Sequence, residues 1–138
     1  MNTRLNPYLS FRGTAKNAME FYQSVFGGDL RLNTFGDYHA SDDPAEVDKI
    51  MHGMLETEGG LTLMGADTPS SMEYQPGNTI SVSLSGDNEA ELRRYWEGLS
   101  EGGTIAMPLE KAPWGDTFGM CTDRFGVSWL VNITAGQP

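Results

Sequence analysis

Glu20-Phe21-Tyr22-Gln23-Ser24-Val25-Phe26-Gly27-Gly28-Asp29-Leu30 reads as a helix that stops and a strand that starts. Ala18, Met19, Tyr22, Val25 and Phe26 fall on one helical stripe, the mark of a helix that buries one side. Gly27-Gly28 ends it, because glycine enters the backbone conformations that close a helix without a Cβ penalty. Asp29 to Phe35 then reads as a strand. Upstream, Leu5 to Phe11 alternates loosely as a half-buried strand, with Pro7 suited to its start or to an edge. Gly13 breaks it, and the Thr14 hydroxyl is placed to cap the helix. Downstream, Gly36 to Asp48 is a polar loop or mobile lid with room for one helical turn. Ile50 to Glu56 sets Met51, Gly53 and Leu55 against His52, Met54 and Glu56, two faces of a strand. Gly59-Gly60 turns the chain, and Leu61 to Gly65 returns.

The same order follows in the second half. Thr79 to Leu84 has period two, with Ile80, Val82 and Leu84 on one face. Asp87 or Asn88 caps a helix whose inner side carries Leu92, Tyr95, Trp96 and Leu99, and Gly102-Gly103 stops it. Thr104 to Met107 and Val127 to Ile133 are strands, Pro113 to Met120 is a strand entry with a tight bend, and Asp123 to Gly126 is a hairpin turn. The halves share little residue identity; the repeat, at roughly 70 residues, shows mainly as the two helix-ending glycine pairs. The pattern predicts an α+β domain of two βαβββ modules (about 1–67 and 78–138, joined by 68–77) whose curled mixed sheet carries helices outside and a central cavity inside.

Composition narrows the function. Nine Lys and Arg against 19 Asp and Glu give a net charge of −10, which repels nucleic acid and anionic membranes. The single cysteine, Cys121, forms no intramolecular disulfide and reads as a packed, inert thiol. The N-terminus lacks the build of a signal peptide and no apolar run is long enough to span a membrane, so the reading is a cytoplasmic protein. No Ser-His-Asp order, P-loop, Cys-x-x-Cys pair or His-Glu-x-x-His occurs.

Three segments carry a family resemblance. They are Asn6-Pro7-Tyr8-Leu9-Ser10-Phe11-Arg12-Gly13 with Ala18 to Tyr22 and Val25-Phe26-Gly27; His52-Gly53-Met54 through Leu63-Met64-Gly65-Ala66-Asp67; and Trp114-Gly115-Asp116-Thr117-Phe118-Gly119 with Asp123 to Trp129 and Asn132. In order and spacing the chain resembles the PhnB-like branch of the vicinal oxygen chelate (glyoxalase/bleomycin-resistance/dioxygenase) superfamily. The resemblance implies the glyoxalase-like fold, a homodimer, and a pocket inside each curled sheet. Its metal-using branch holds a divalent ion with four His or Glu side chains. The matching positions here are Asn6, Met64, Ser81 and Leu130, and neither they nor their neighbours supply an imidazole or a carboxylate. The expectation is therefore no metal site and no cofactor. Proteins of this kind have carried a methyltransferase label, but no Gly-rich loop follows a strand to hold a nucleoside cofactor.

The remaining site candidates come from the residues. His52 shares a strand face with Met54 and Glu56, where it serves as an acid/base or orients a polar ligand, or is simply a hydrogen-bonded lining residue. Trp114, Asp116 and Phe118 make an aromatic wall with one carboxylate, or pack a hairpin. Tyr8 and Ser10 offer hydroxyls from the face opposite Leu9 and Phe11, while Met54 and Met64 line or fill an interior. Asp67 points to the same cavity or makes a turn. Asp123, His39 and the Asp42-Asp43-Glu46 run read as a turn residue and solvated side chains. The leading expectation is a metal-independent protein that binds a small organic ligand. The alternatives are an enzyme (lyase, isomerase or oxidoreductase type) using His52 with Asp116 or Asp67, and a dimeric interaction module with a vestigial pocket.

Overall fold

A computed structural model describes residues 3–135. The chain divides between Pro76 and Gly77, inside the segment read as a linker, into two compact units. The first holds β1 (Tyr8–Phe11), α1 (Ala15–Phe26), β2 (Asp29–Thr34), β3 (Ile50–Glu56) and β4 (Thr62–Asp67). The second holds β5 (Val82–Gly86), α2 (Glu89–Ser100), β6 (Thr104–Lys111), β7 (Thr117–Thr122) and β8 (Ser128–Ile133). The strand orders are β1-β4-β3-β2 and β5-β8-β7-β6, each with one parallel pair (β1 with β4, β5 with β8) and two antiparallel pairs. The predicted α+β class and its two βαβββ modules are what the chain forms.

In the first unit α1 covers one sheet face. Ala15, Ala18, Met19 and Tyr22 are buried against Phe11, Leu55 and Leu63. Gly53 and Gly65 lie under this helix, and a Cβ on Gly65 would stand 3.1 Å from the Met19 sulfur. In the second unit Leu92, Tyr95, Trp96 and Leu99 of α2 are buried with Cys121, Trp129, Val131 and Ile133. Burial, and after it the Asp123 carboxylate, pushes the Cys121 thiol up to about 11, so it stays protonated at neutral pH.

One backbone hydrogen bond recurs at the same place in both halves even where the residues differ. Thr68 N–H donates to the Phe11 carbonyl at 2.6 Å, and Thr134 N–H donates to that of Gly86 at 2.7 Å. The first glycine of each helix-ending pair has positive φ, 74° at Gly27 and 78° at Gly102. The second leaves no room for a side chain, for a Cβ on Gly28 would collide with the Glu56 carbonyl and one on Gly103 with the Thr122 carbonyl. The chain leaving each helix thus slides past the end of the hairpin strand beside it.

Several expectations need correction. β1 begins only at Tyr8, because Pro7 has no N–H to give a ladder, although its carbonyl accepts from Met64 N–H at 3.1 Å. β5 begins at Val82, so Ile80 lies outside the strand and is 81% exposed. β6 runs on to Lys111 through Pro108; an edge strand with register shifts on either side of Met107 tolerates the missing N–H. Thr14 sits at the N-cap of α1 but its side chain caps nothing. Asn88 does cap α2, its Oδ1 accepting from Glu91 N–H at 3.1 Å. Glu46 is not solvated. It is buried, accepts from Ser70 N–H at 3.1 Å and pairs with Lys49 Nζ at 3.4 Å; a hydrogen bond from the Ser70 side chain is the main cause that holds its carboxyl below the usual range, with the Ser70 N–H and Lys49 adding to it. His39 is exposed, with φ 54°.

Candidate functional site

Each sheet has one face under its helix and one open face, and the strand register says which side chains share the open one. In the first unit Tyr8 pairs with Met64, Met64 with Met54, and Met54 with Arg31, a row running across all four strands. The next row is Ser10, Ala66, His52 and Asn33: Ser10 pairs with Ala66, and His52 with Asn33. Alternation places Ala66 beside His52. Tyr8 is 51% exposed, and its ring centroid lies 6.0 Å from that of His52, with the planes 32° apart. The two rings belong to adjacent rows on non-neighbouring strands. The small Ala66 between those strands leaves them space to approach. Burial raises the Tyr8 phenol above its ordinary value, so it keeps its proton and its capacity to donate. The structure thus brings together Tyr8, Ser10, His52, Met54 and Met64, all singled out from the sequence.

Asp67 does not join them. It lies at an odd offset from Met64 and so on the helix side of β4, where it is 4% exposed. Its Oδ1 accepts from Gly13 N–H at 2.7 Å and Ala15 N–H at 3.0 Å, and its Oδ2 from Ile50 N–H at 3.0 Å. The carboxylate caps α1 from across the unit, in place of Thr14, and ties the start of β3 to the same point. It belongs to the frame, and no acid/base pair with His52 is available to it.

In the second unit the corresponding rows are Ser83, Leu130, Met120 and Met107, and Ser85, Asn132, Phe118 and Glu110. Trp114, 61% exposed, meets Phe118 edge-on at 5.5 Å. Asp116 accepts from Asn132 Nδ2 at 3.0 Å and from Ala135 N–H at 2.9 Å. The Asn132 bond, then the Ala135 bond, holds its carboxyl below the usual value of 3.8. A folded-state pKa below the unfolded one stabilises the fold above that value and ceases to do so as acid protonates the folded group. The stability lost in Asp116→Ala is therefore expected to be constant near neutrality and to shrink below pH 3.8, as urea unfolding across pH would show. A difference that grows on acidification would contradict this reading. Asp123, read as a turn residue, is buried and accepts from Phe125 N–H, Val127 N–H and the Trp129 indole N–H at 2.8 to 3.2 Å.

Arg31 and Asn33 were not visible as site residues in the sequence. The available signal was parity: residues alternating along a strand that pairs with the His52 strand must share its face or avoid it. Among the described residues neither His, Cys, Asp nor Glu side chains gather in a group of three or more able to hold a metal. Of the four positions matched to metal ligands by resemblance, Asn6 and Ser81 lie ahead of β1 and β5, while Met64 and Leu130 pair across the ladder with Tyr8 and Ser83; none of these donors suits a divalent cation.

Two mixed four-stranded βαβββ modules, each with a helix on one face and an open opposite face, are the fold of glyoxalase/bleomycin-resistance proteins. A member of that superfamily from Sphaerobacter thermophilus shares the fold at 19% identity, with TM-score 0.57 over 96% of this chain and 98% of that one. Residues 3–132 match the family model described as 3-demethylubiquinone-9 3-methyltransferase, and the chain belongs to this PhnB-like family. Protein YjdN of Escherichia coli is 31% identical over 145 residues, covering 97% of each chain. Protein PA1353 from Pseudomonas aeruginosa is 39% identical with TM-score 0.85, covering 98% of this chain and all of that one. A Bacillus cereus structure described as a putative 3-demethylubiquinone-9 3-methyltransferase, PhnB protein, shares the fold at 24% identity and TM-score 0.70, over 96% of this chain and all of that one. No described helix is long and apolar enough to cross a membrane.

Proposed function

We propose that the protein binds a small organic molecule without the help of a metal ion, on the open face of its first sheet. The observation that carries this is the meeting of Tyr8 and His52 at 6.0 Å on a face floored by Met54 and Met64. Aromatic and thioether surface supplies shape-adaptable apolar contact, and a phenol and an imidazole fix orientation. Trp114 and Phe118 offer a second aromatic surface, on the other unit, and Ser10 a hydroxyl at the edge of the first. The donor chemistry at Tyr8, Met64, Ser83 and Leu130 supports metal independence. Methyl transfer gains no support from the fold, since neither unit contains a Gly-rich loop of the nucleotide-binding kind between strand and helix. A homodimer in the cytoplasm fits this reading.

A second reading, acid/base catalysis by His52, draws on its partial exposure beside the Tyr8 phenol. Neither proposed aspartate helps it. Asp67 is turned to the helix side, and the Asp116 carboxylate is occupied by Asn132 and Ala135.

A thermal-shift screen of metabolites is the test, since a ligand of the folded state raises the midpoint, by about 2.7 kcal/mol of stability at a hundredfold excess over Kd. Hits are expected to lose most of their protection in Tyr8→Ala and His52→Ala, while the unliganded midpoints move little. If protection survives both substitutions, binding lies elsewhere. If His52→Ala instead abolishes turnover of a hit without weakening its binding, the catalytic reading replaces the proposed one.

A further inference from the structure

Comparing the two open faces separates what the fold requires from what it does not. Rows that occupy the same place in the repeat are Tyr8-Met64-Met54-Arg31 and Ser83-Leu130-Met120-Met107, so Arg31 stands where the second unit has Met107. The pair His52 and Asn33 stands where the second unit has Phe118 and Glu110. The fold therefore accepts an apolar residue, or an acid, at the positions where the first unit has a guanidinium, an imidazole and an amide. Their polarity is surplus to folding.

Arg31 is exposed on an edge strand, and among the described residues no carboxylate lies within ion-pair reach of it. It is a cation in a chain of net charge −10, on a face where Asn33 and His52 pair directly across the ladder beside it. The acidic side chains of that face, Asp29 and Glu56, pair with each other in the row on the opposite side of Arg31 from His52. The pattern along β2 and β3 thus runs from acidic, through cationic, to the amide and imidazole of Asn33 and His52. Anionic atoms are repelled at one end and met by donors at the other.

Resting on the proposed small-molecule function of this face, we infer that its ligand is an organic anion: a carboxylate, or a group of like shape, held by Arg31, Asn33 and His52, joined to an apolar body that lies over Met54 and Met64 toward Tyr8. A guanidinium presents two parallel N–H donors that match the two oxygens of a carboxylate, and such bonds are stronger than those between neutral groups. The apolar floor beside them explains why a free inorganic anion would be a poor ligand, since it would leave the methionine surface uncovered.

The test uses the full chain, labelled for NMR, and a panel of benzoate, phenylacetate and octanoate, each compared with its own primary amide. At least one carboxylate is expected to shift the Arg31 guanidinium, Asn33 amide and His52 ring signals, binding about tenfold or more tightly than its amide. Arg31→Met, which installs the residue the second unit carries at this place, should erase that preference. Arg31→Lys, which keeps the charge but not the planar fork, should retain part of it. If acid and amide bind this face equally, or if Arg31→Met leaves the preference intact, the anion inference falls while the small-molecule function stands. If no member of the panel moves signals on this face, while hits from the metabolite screen do so and are uncharged or cationic, the inference likewise fails. If nothing from panel or screen reaches this face, both fail together.

Discussion

Asp67→Ala is expected to lose about 4 kcal/mol of stability, because it strips the partner from three backbone N–H groups at once. Ala15 and Ile50 are buried, so water cannot readily replace the lost acceptor, and Gly13 is partly shielded. A buried donor left unmatched costs about 1–3 kcal/mol. The three donors belong to the start of α1, the turn before it and the start of β3, so the loss spreads over the first unit. Against a typical total of about 5–15 kcal/mol, a change of this size puts the folded population at risk. Asp67→Asn should cost less, since the amide oxygen still accepts while its NH2 faces a donor. Urea unfolding checks both: the midpoint falls steeply for Ala and less for Asn. A loss under about 1 kcal/mol for Asp67→Ala would mean that these hydrogen bonds do not hold the unit together.

The second large effect is expected at the glycine pairs. Gly103→Ala would drive a methyl into the Thr122 carbonyl, with the Asp123 Cα and carbonyl carbon each 3.0 Å away. All three obstacles are backbone, which cannot swing aside as a side chain would. Relief requires the chain entering β6 to draw away from the end of β7, and about 3 kcal/mol is a fair expectation for such overpacking. Gly28→Ala meets the Glu56 carbonyl and Thr57 Cα in the same way and carries φ 92° besides, so it should cost at least as much. By contrast a Cβ on Gly27 meets nothing within 4 Å, leaving only the backbone penalty of its positive φ. Thermal unfolding should therefore rank Gly28→Ala and Gly103→Ala well below Gly27→Ala. Equal effects at all three would assign the pairs to helix termination alone.

These glycines also show what the sequence could reveal. Their recurrence exposed the repeat, because helix stopping and close passage demand glycine whatever the neighbouring residues are. The His52 face was equally legible, since alternation over His52 to Glu56 separates His52 and Met54 from Gly53 and Leu55; only at the strand's start, beside the register shift at Asn33–Thr34, does it fail, leaving Ile50 buried and Met51 exposed. Asp67 was not. Its donors lie 52 to 54 residues upstream and 17 upstream, and a local turn before Thr68-Pro69 accounted for the same residue type. Thr14, next to the helix, took the capping role on propensity, but the geometry assigned it to the distant carboxylate. Arg31 escaped notice because an exposed cation on an edge strand is ordinary surface until the ladder shows that it stands beside Met54 and next to the row of His52 and Asn33. Strand parity is local and readable; pairing partners across a sheet are not.

The most direct measurement is the ligand-induced thermal shift of the purified chain, read before and after exhaustive chelation and again with added zinc, nickel, manganese or iron. Side chains alone should produce the same shift in all three states, with metal far below one equivalent per chain. A shift that vanishes on chelation and returns with one equivalent of a divalent ion would contradict the account.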